Sequence, residues 1–191
     1  MTEDDVGPIT ELEMVIGHFA GDDVRKGIMK GSEQIGDLSP EEVAEWLKKA
    51  VDTMDALVDE NTRVTIMENC GFNCAEMNKS HIENALKKRK EFKTLDEFLE
   101  AEEKNPVKGT RLVRNGDMVY QYYDPSSLGM RCFCSLWRGL PDDEPVSLTF
   151  CQCSKGFVMK LWEAYVGRPV QVDLLESSIS GAKECTFAIH L

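Results

Sequence analysis

Apolar residues recur at helical spacing through the first half of the chain and at alternating spacing through much of the second. Leu12, Val15, Ile16 and Phe19 follow Thr10 and Glu13, whose spacing matches a helix-opening capping box. A weaker helical stretch over 22–35 is interrupted by Gly27 and Gly31. The clearest helix opens at Ser39 with Pro40 in its first position and Glu42 completing the box. Val43, Leu47, Ala50, Val51, Met54, Leu57 and Val58 form its expected buried stripe. Around Cys70-Gly71-Phe72-Asn73-Cys74 a break is expected at Gly71, with a restart capped by Asn73 and Glu76. Thr94 and Glu97 open a short helix carrying Leu95, Phe98 and Leu99.

From residue 111 the period changes. Asn115-Gly116 between Leu112/Val113 and Val119/Tyr120 predicts a tight hairpin. Strands are expected over 131–137 and 146–153, joined by a turn at Pro141-Asp142-Asp143-Glu144-Pro145. A helix over 156–166 ends at Gly167 and Pro169, and a closing hairpin pairs 170–175 with 185–191. The fold class is α+β: N-terminal helices packed on an antiparallel sheet built from hairpins, with one inserted helix. The division is a helical region 1–60 and an α+β region 61–191, together forming one compact domain.

The 191 residues suffice for a hydrophobic core without disulfide support. The net charge of −12 disfavours nucleic acid as a partner, because phosphate contact needs clustered cations, and Lys87-Lys88-Arg89-Lys90 reads as a solvated helix face. The acidic start lacks a secretory signal and no apolar run is long enough to span a bilayer, so a cytoplasmic protein without membrane contact is expected. Thiols stay reduced in that compartment, which turns attention to the seven cysteines.

Cys132/Cys134 and Cys151/Cys153 are two Cys-x-Cys pairs, and residues i and i+2 of a strand share a face. A hairpin register setting Cys134 opposite Cys151 and Cys132 opposite Cys153 would gather four thiols; a one-residue slip would scatter them. Cys70 and Cys74, four apart, share a helical face if Gly71 does not interrupt it, and a helix start at Asn73 would favour the Cys74 thiolate. The candidate metal ligands are therefore Cys70, Cys74, Cys132, Cys134, Cys151 and Cys153, with zinc preferred and an iron–sulfur cluster as the alternative. His81 could extend the Cys70/Cys74 stripe but reads better as an exposed helical residue. Cys185 alternates with Phe187 and Ile189 and reads as core-facing. The aromatic residues Tyr120, Tyr122, Phe133, Trp137, Phe150, Phe157 and Trp162 fit core packing better than a ligand pocket; Glu163 and Glu176 are candidate acids should a pocket open beside them.

Cys151-Gln152-Cys153-Ser154-Lys155-Gly156-Phe157, Trp162-Glu163, Gly167-Arg168-Pro169-Val170, Glu176-Ser177 and the closing Gly181 to Cys185-Thr186-Phe187-Ala188-Ile189 together resemble the C-terminal signature of 4-vinyl-reductase-type domains. Cys70-Gly71-Phe72-Asn73-Cys74-Ala75 resembles the Cys-Gly-x-x-Cys-Ala element of their cysteine-rich branch, with a more distant similarity to the aminothiazoline-carboxylate hydrolase-like group. The resemblance implies an α+β domain that binds a small-molecule ligand, in sensory or accessory roles, and commonly forms a homodimer. It does not fix an activity. The expected function is thus a metal-binding small-molecule or sensory protein; the alternatives are a thiol redox switch and a cysteine-dependent hydrolase.

Overall fold

The computed structural model describes residues 3–141 and 144–191; Asp142 and Asp143, at the centre of the expected Pro141–Pro145 turn, lie outside the described residues. The chain runs through helices α1 (Glu3–Ala20), α2 (Asp22–Ile28), α3 (Pro40–Leu57), α4 (Glu60–Met77), α5 (Lys79–Arg89) and α6 (Leu95–Lys104). Strands β1 (Thr110–Asn115) and β2 (Met118–Tyr123) follow, then helix α7 (Leu148–Val166) and strands β3 (Gln171–Glu176) and β4 (Cys185–His190). The α+β class holds, and the sheet is antiparallel with order β1-β2-β4-β3.

The capping boxes at Ser39/Glu42 and Thr94/Glu97 both form, each side chain accepting from the other residue's backbone N–H. Thr10, by contrast, lies inside α1, which starts earlier. The predicted stripe of α3 is buried from Val43 to Met54, while Leu57 is left exposed. The β1–β2 connection is Gly116-Asp117, since Asn115 pairs with Met118. Gly116 has φ +62°, the backbone that a type II′ hairpin demands of its first central residue.

Two expectations fail. Residues 131–137 are not a strand but an irregular segment ending in a 3₁₀ turn, Ser135–Trp137, and 148–153 form the first turns of α7. The chain there has alternating Val146, Leu148 and Phe150, yet Ser147 caps a helix by accepting from the Thr149 N–H. Thr149 Oγ1 then donates to Asp55 at 2.6 Å and accepts from Arg63 at 3.2 Å, tying the start of α7 to α3 and α4. Nor does Gly71 break a helix: α4 is continuous to Met77. A Cβ on Gly71 would lie 2.1 Å from the Cys153 carbonyl oxygen, and one on Gly156 would lie 2.3 Å from the Glu68 carbonyl oxygen. These two glycines let α4 and α7 cross backbone against backbone.

Helix α7 joins two cores. Its first turns, Phe150 and Cys151, pack with residues of α1 to α4, Leu136, Trp137 and Ile179. Further along, Val158 and Trp162 pack with Phe98 and Leu99 of α6 and with Val119, Val172, Phe187 and Ile189 of the sheet. The first core draws on residues from both sides of position 60. Trp162 Nε1, fully buried, donates to Gln121 Oε1 at 2.6 Å and so fixes α7 against β2.

Candidate thiol centre

All seven cysteines are free thiols. The hairpin square does not exist, because Cys151 and Cys153 are two residues apart on a helix and diverge by about 200°. Clustering is nevertheless present, by another route. Cys153 is half-buried at the α4–α7 crossing, within electrostatic reach of Cys134, Cys74, Cys70 and Cys151. Cys70 and Cys74 come from α4, one helical turn apart; Cys134 comes from the segment leading into the Ser135–Trp137 turn. Cys134 and Cys74 are electrostatic neighbours in turn. A first group therefore comprises Cys70, Cys74, Cys134 and Cys153.

The other three form a second group around the β3–β4 connection. Cys151 Sγ lies 2.8 Å from Ser177 Oγ. Cys185 Sγ lies 3.4 Å from both the N–H and the hydroxyl of Ser178, and that hydroxyl donates to the Arg131 carbonyl at 3.0 Å. Cys132 follows Arg131 directly. Cys132 and Cys185 each act on Cys151, and Cys185 acts on Cys132.

Burial dominates the acidity of these groups. It pushes the Cys70 thiol up to about 12, with the Glu11 carboxylate adding to the effect. Cys134 and Cys151 also rise to about 12, and Cys132 to about 11, in each case mainly through desolvation of the thiolate. Cys153 is raised well above its ordinary value, first by burial and then by its thiol neighbours. Cys74 is raised as well, which reverses the expectation of an activated thiolate: it sits in the last turn of α4, not the first turn of a new helix.

Hydrogen-bond donors face several sulfurs. Asn78 Nδ2 donates to Cys74 Sγ at 3.5 Å, the Cys134 N–H donates to Cys132 Sγ at 3.4 Å, and the Leu136 N–H supports Cys134. Among the described residues no three His, Cys, Asp or Glu side chains stand at metal-ligating spacing. His81 is exposed on α5, its ring 6.1 Å from that of Phe157. Trp137, Phe150 and Trp162 are buried core residues, while Phe133 is exposed. Glu163 pairs with Lys160 at 2.9 Å, and Glu176 accepts from Thr186 at 3.2 Å.

Sequence reasoning missed the role of Ser177 and Ser178, because a serine pair in a strand connection has no signature until the chain folds back on it. It also set Cys185 apart as a core residue; Cys185 does pack against the second core, but its sulfur meets the Ser178 backbone. Among the described residues no helix is long and apolar enough to cross a membrane. No curated protein matches the sequence significantly. The model of DUF6144, a family of unknown function, matches residues 11–191, and the chain belongs to that family.

Proposed function

We propose that this chain is a thiolate metal-binding protein in which Cys70, Cys74, Cys134 and Cys153 hold one soft metal, zinc in preference to an iron–sulfur cluster. The role proposed for the loaded domain is that of a small-molecule-binding or sensory module. The observation that supports it is the position of Cys153: a half-buried thiol at the α4–α7 crossing with three others around it, delivered by two helices and a loop. Desolvation makes such a group costly as thiolates, which is why the four thiols are raised; a bound divalent soft metal supplies compensating charge and displaces the protons. An all-sulfur donor set suits zinc or iron–sulfur and disfavours hard cations. Ligation at the usual Zn–S length of about 2.3 Å calls for the short cysteine side chains to turn inward about χ1. The Asn78 and Leu136 donors are of the kind that stabilise metal-bound sulfur from outside the ligand set.

A hydrolytic nucleophile among these four cysteines ranks below this reading, because nucleophilic thiols are activated by a lowered pKa and these are raised. The test is metal analysis of protein purified without oxygen, together with its visible spectrum. Stoichiometric zinc in a colourless protein, or iron with acid-labile sulfide in a brown one, is expected, lost in Cys153→Ser and kept in Cys185→Ser. Wild-type protein free of metal at stoichiometric level would sink the proposal.

A further inference from the structure

Cys132, Cys151 and Cys185 are left outside the four-thiol group, and their surroundings differ from it. A cleft of about 250 Å³ opens beside them, lined by Pro125, Met130, Arg131, Ser178 and Lys183 among others. Ser178 reaches a thiol directly, at Cys185 Sγ, and its hydroxyl donates to the carbonyl of Arg131, the residue before Cys132. A second tie is aromatic. The Phe133 ring lies edge-on to Tyr123 at 5.6 Å, and Tyr123 is the cross-strand partner of Cys185. The 131–134 segment is thus pinned to the end of the sheet from both sides of Cys132, which brings Cys132 within electrostatic reach of Cys185. Both are partly exposed, whereas Cys151 is buried behind them on Ser177.

We propose that Cys185 and Cys132 are a thiol–disulfide exchange pair, and that the cleft admits an anionic low-molecular-weight disulfide. Cys185 is the attacking residue, since its sulfur meets the backbone N–H and the hydroxyl of Ser178, a residue that lines the cleft. As thiolate it attacks one sulfur of RS–SR, forming a Cys185–S–S–R mixed disulfide and expelling RS⁻. Cys132, giving up its proton, then attacks the Cys185 sulfur and expels the second RS⁻. The two protein thiols are oxidised to one disulfide, the small disulfide is reduced to two thiols, and each leaving thiolate takes up one of the two protons released. Arg131 and Lys183 supply the positive charge that selects an anionic reagent. None of these residues belongs to the four proposed ligands, although the Cys134 N–H donates to Cys132 Sγ and places the two sites side by side.

The experiment uses the full chain, reduced and handled without oxygen, exposed to glutathione disulfide. Loss of two thiols, a Cys132–Cys185 link on peptide mapping, reversal by dithiothreitol and an unchanged metal content are expected. In Cys132→Ser the reaction stops at a glutathione adduct on Cys185. Lys183→Glu, at an exposed position, slows oxidation by glutathione disulfide about tenfold at low salt but leaves oxidation by neutral hydroxyethyl disulfide unchanged. A link that joins other cysteines, or no link in the wild-type chain, overturns the exchange pair whatever the variants do. Equal slowing with both reagents overturns the role of the cleft. Metal content of untreated protein is a separate measurement, so the two proposals fail separately.

Discussion

At Gly71 two opposing effects can be weighed. Alanine in a helix interior is favoured over glycine by about 1 kcal/mol, so Gly71→Ala improves α4 taken alone. In the folded protein its Cβ would sit 2.1 Å from the Cys153 carbonyl oxygen and 2.9 Å from the Gly156 Cα, and both obstacles are backbone. No side chain can swing away, so the helices must separate. Overpacking of this kind costs about 3 kcal/mol, and it wins. Gly71→Ala is expected to lower the urea midpoint accordingly, and Gly156→Ala to behave alike because its Cβ meets the Glu68 carbonyl oxygen at 2.3 Å. A midpoint equal to or above wild type would mean that α4 and α7 do not cross where the structure places them. The sequence alone shows Gly71 as a helix breaker, since a glycine demanded by a neighbour 82 residues downstream has the same spelling as one demanded by a turn.

Among the elements, α7 decides where the thiols go, and it is also the one least legible in the sequence. Amphipathic helices such as α3 announce themselves through one buried stripe and two capping residues. The start of α7 buries Thr149, Phe150 and Cys151 in succession, and further along it buries Gly156, Val158, Leu161 and Trp162, because it lies between two cores. A helix buried on several faces loses its 3.6-residue signature, and the alternation Val146, Leu148, Phe150 then imitates a strand. The β-hairpins escape this ambiguity through their turn glycines and antiparallel pairing, regular in β1–β2 and shifted once, between Leu174 and Glu176, in β3–β4. Beside the apolar packing of Val158 and Trp162, a buried polar contact ties α7 to the sheet, Trp162 Nε1 to Gln121 Oε1, with Gln121 Nε2 donating in turn to Tyr123 Oη at 2.9 Å. Gln121→Leu strands the indole N–H in a dry environment and is expected to cost about 1–3 kcal/mol in urea unfolding. Adding Trp162→Phe removes the stranded donor, so the double variant should lose less than the sum of the singles. Strict additivity would show that the contact carries nothing.

For the molecule as a whole, the raised thiols make stability depend on pH in a direction set by linkage. In the unfolded chain each thiol ionises near its ordinary value of 9.0; in the folded chain Cys70, Cys134 and Cys151 hold their protons to about 12 and Cys132 to about 11. Between these values the unfolded state binds fewer protons than the folded one, so stability falls as pH rises. Below pH 9 both states keep the protons and the contribution is constant. At pH 10 each of these thiols should cost on the order of 1 kcal/mol, and the reduced, metal-free protein a few kcal/mol in all. Burial of Tyr123 and Tyr165 adds in the same direction at still higher pH. Urea midpoints at pH 7, 8.5 and 10 measure this directly, and a flat profile in metal-free protein would show that the thiols are not shielded from water. A bound soft metal inverts the sign for its ligands: once the folded state holds them as thiolates, alkaline ionisation of the unfolded chain no longer penalises it. Protons compete for the sulfurs instead, and stability falls on acidification. The metal-loaded and metal-free forms should therefore fail at opposite ends of the pH scale.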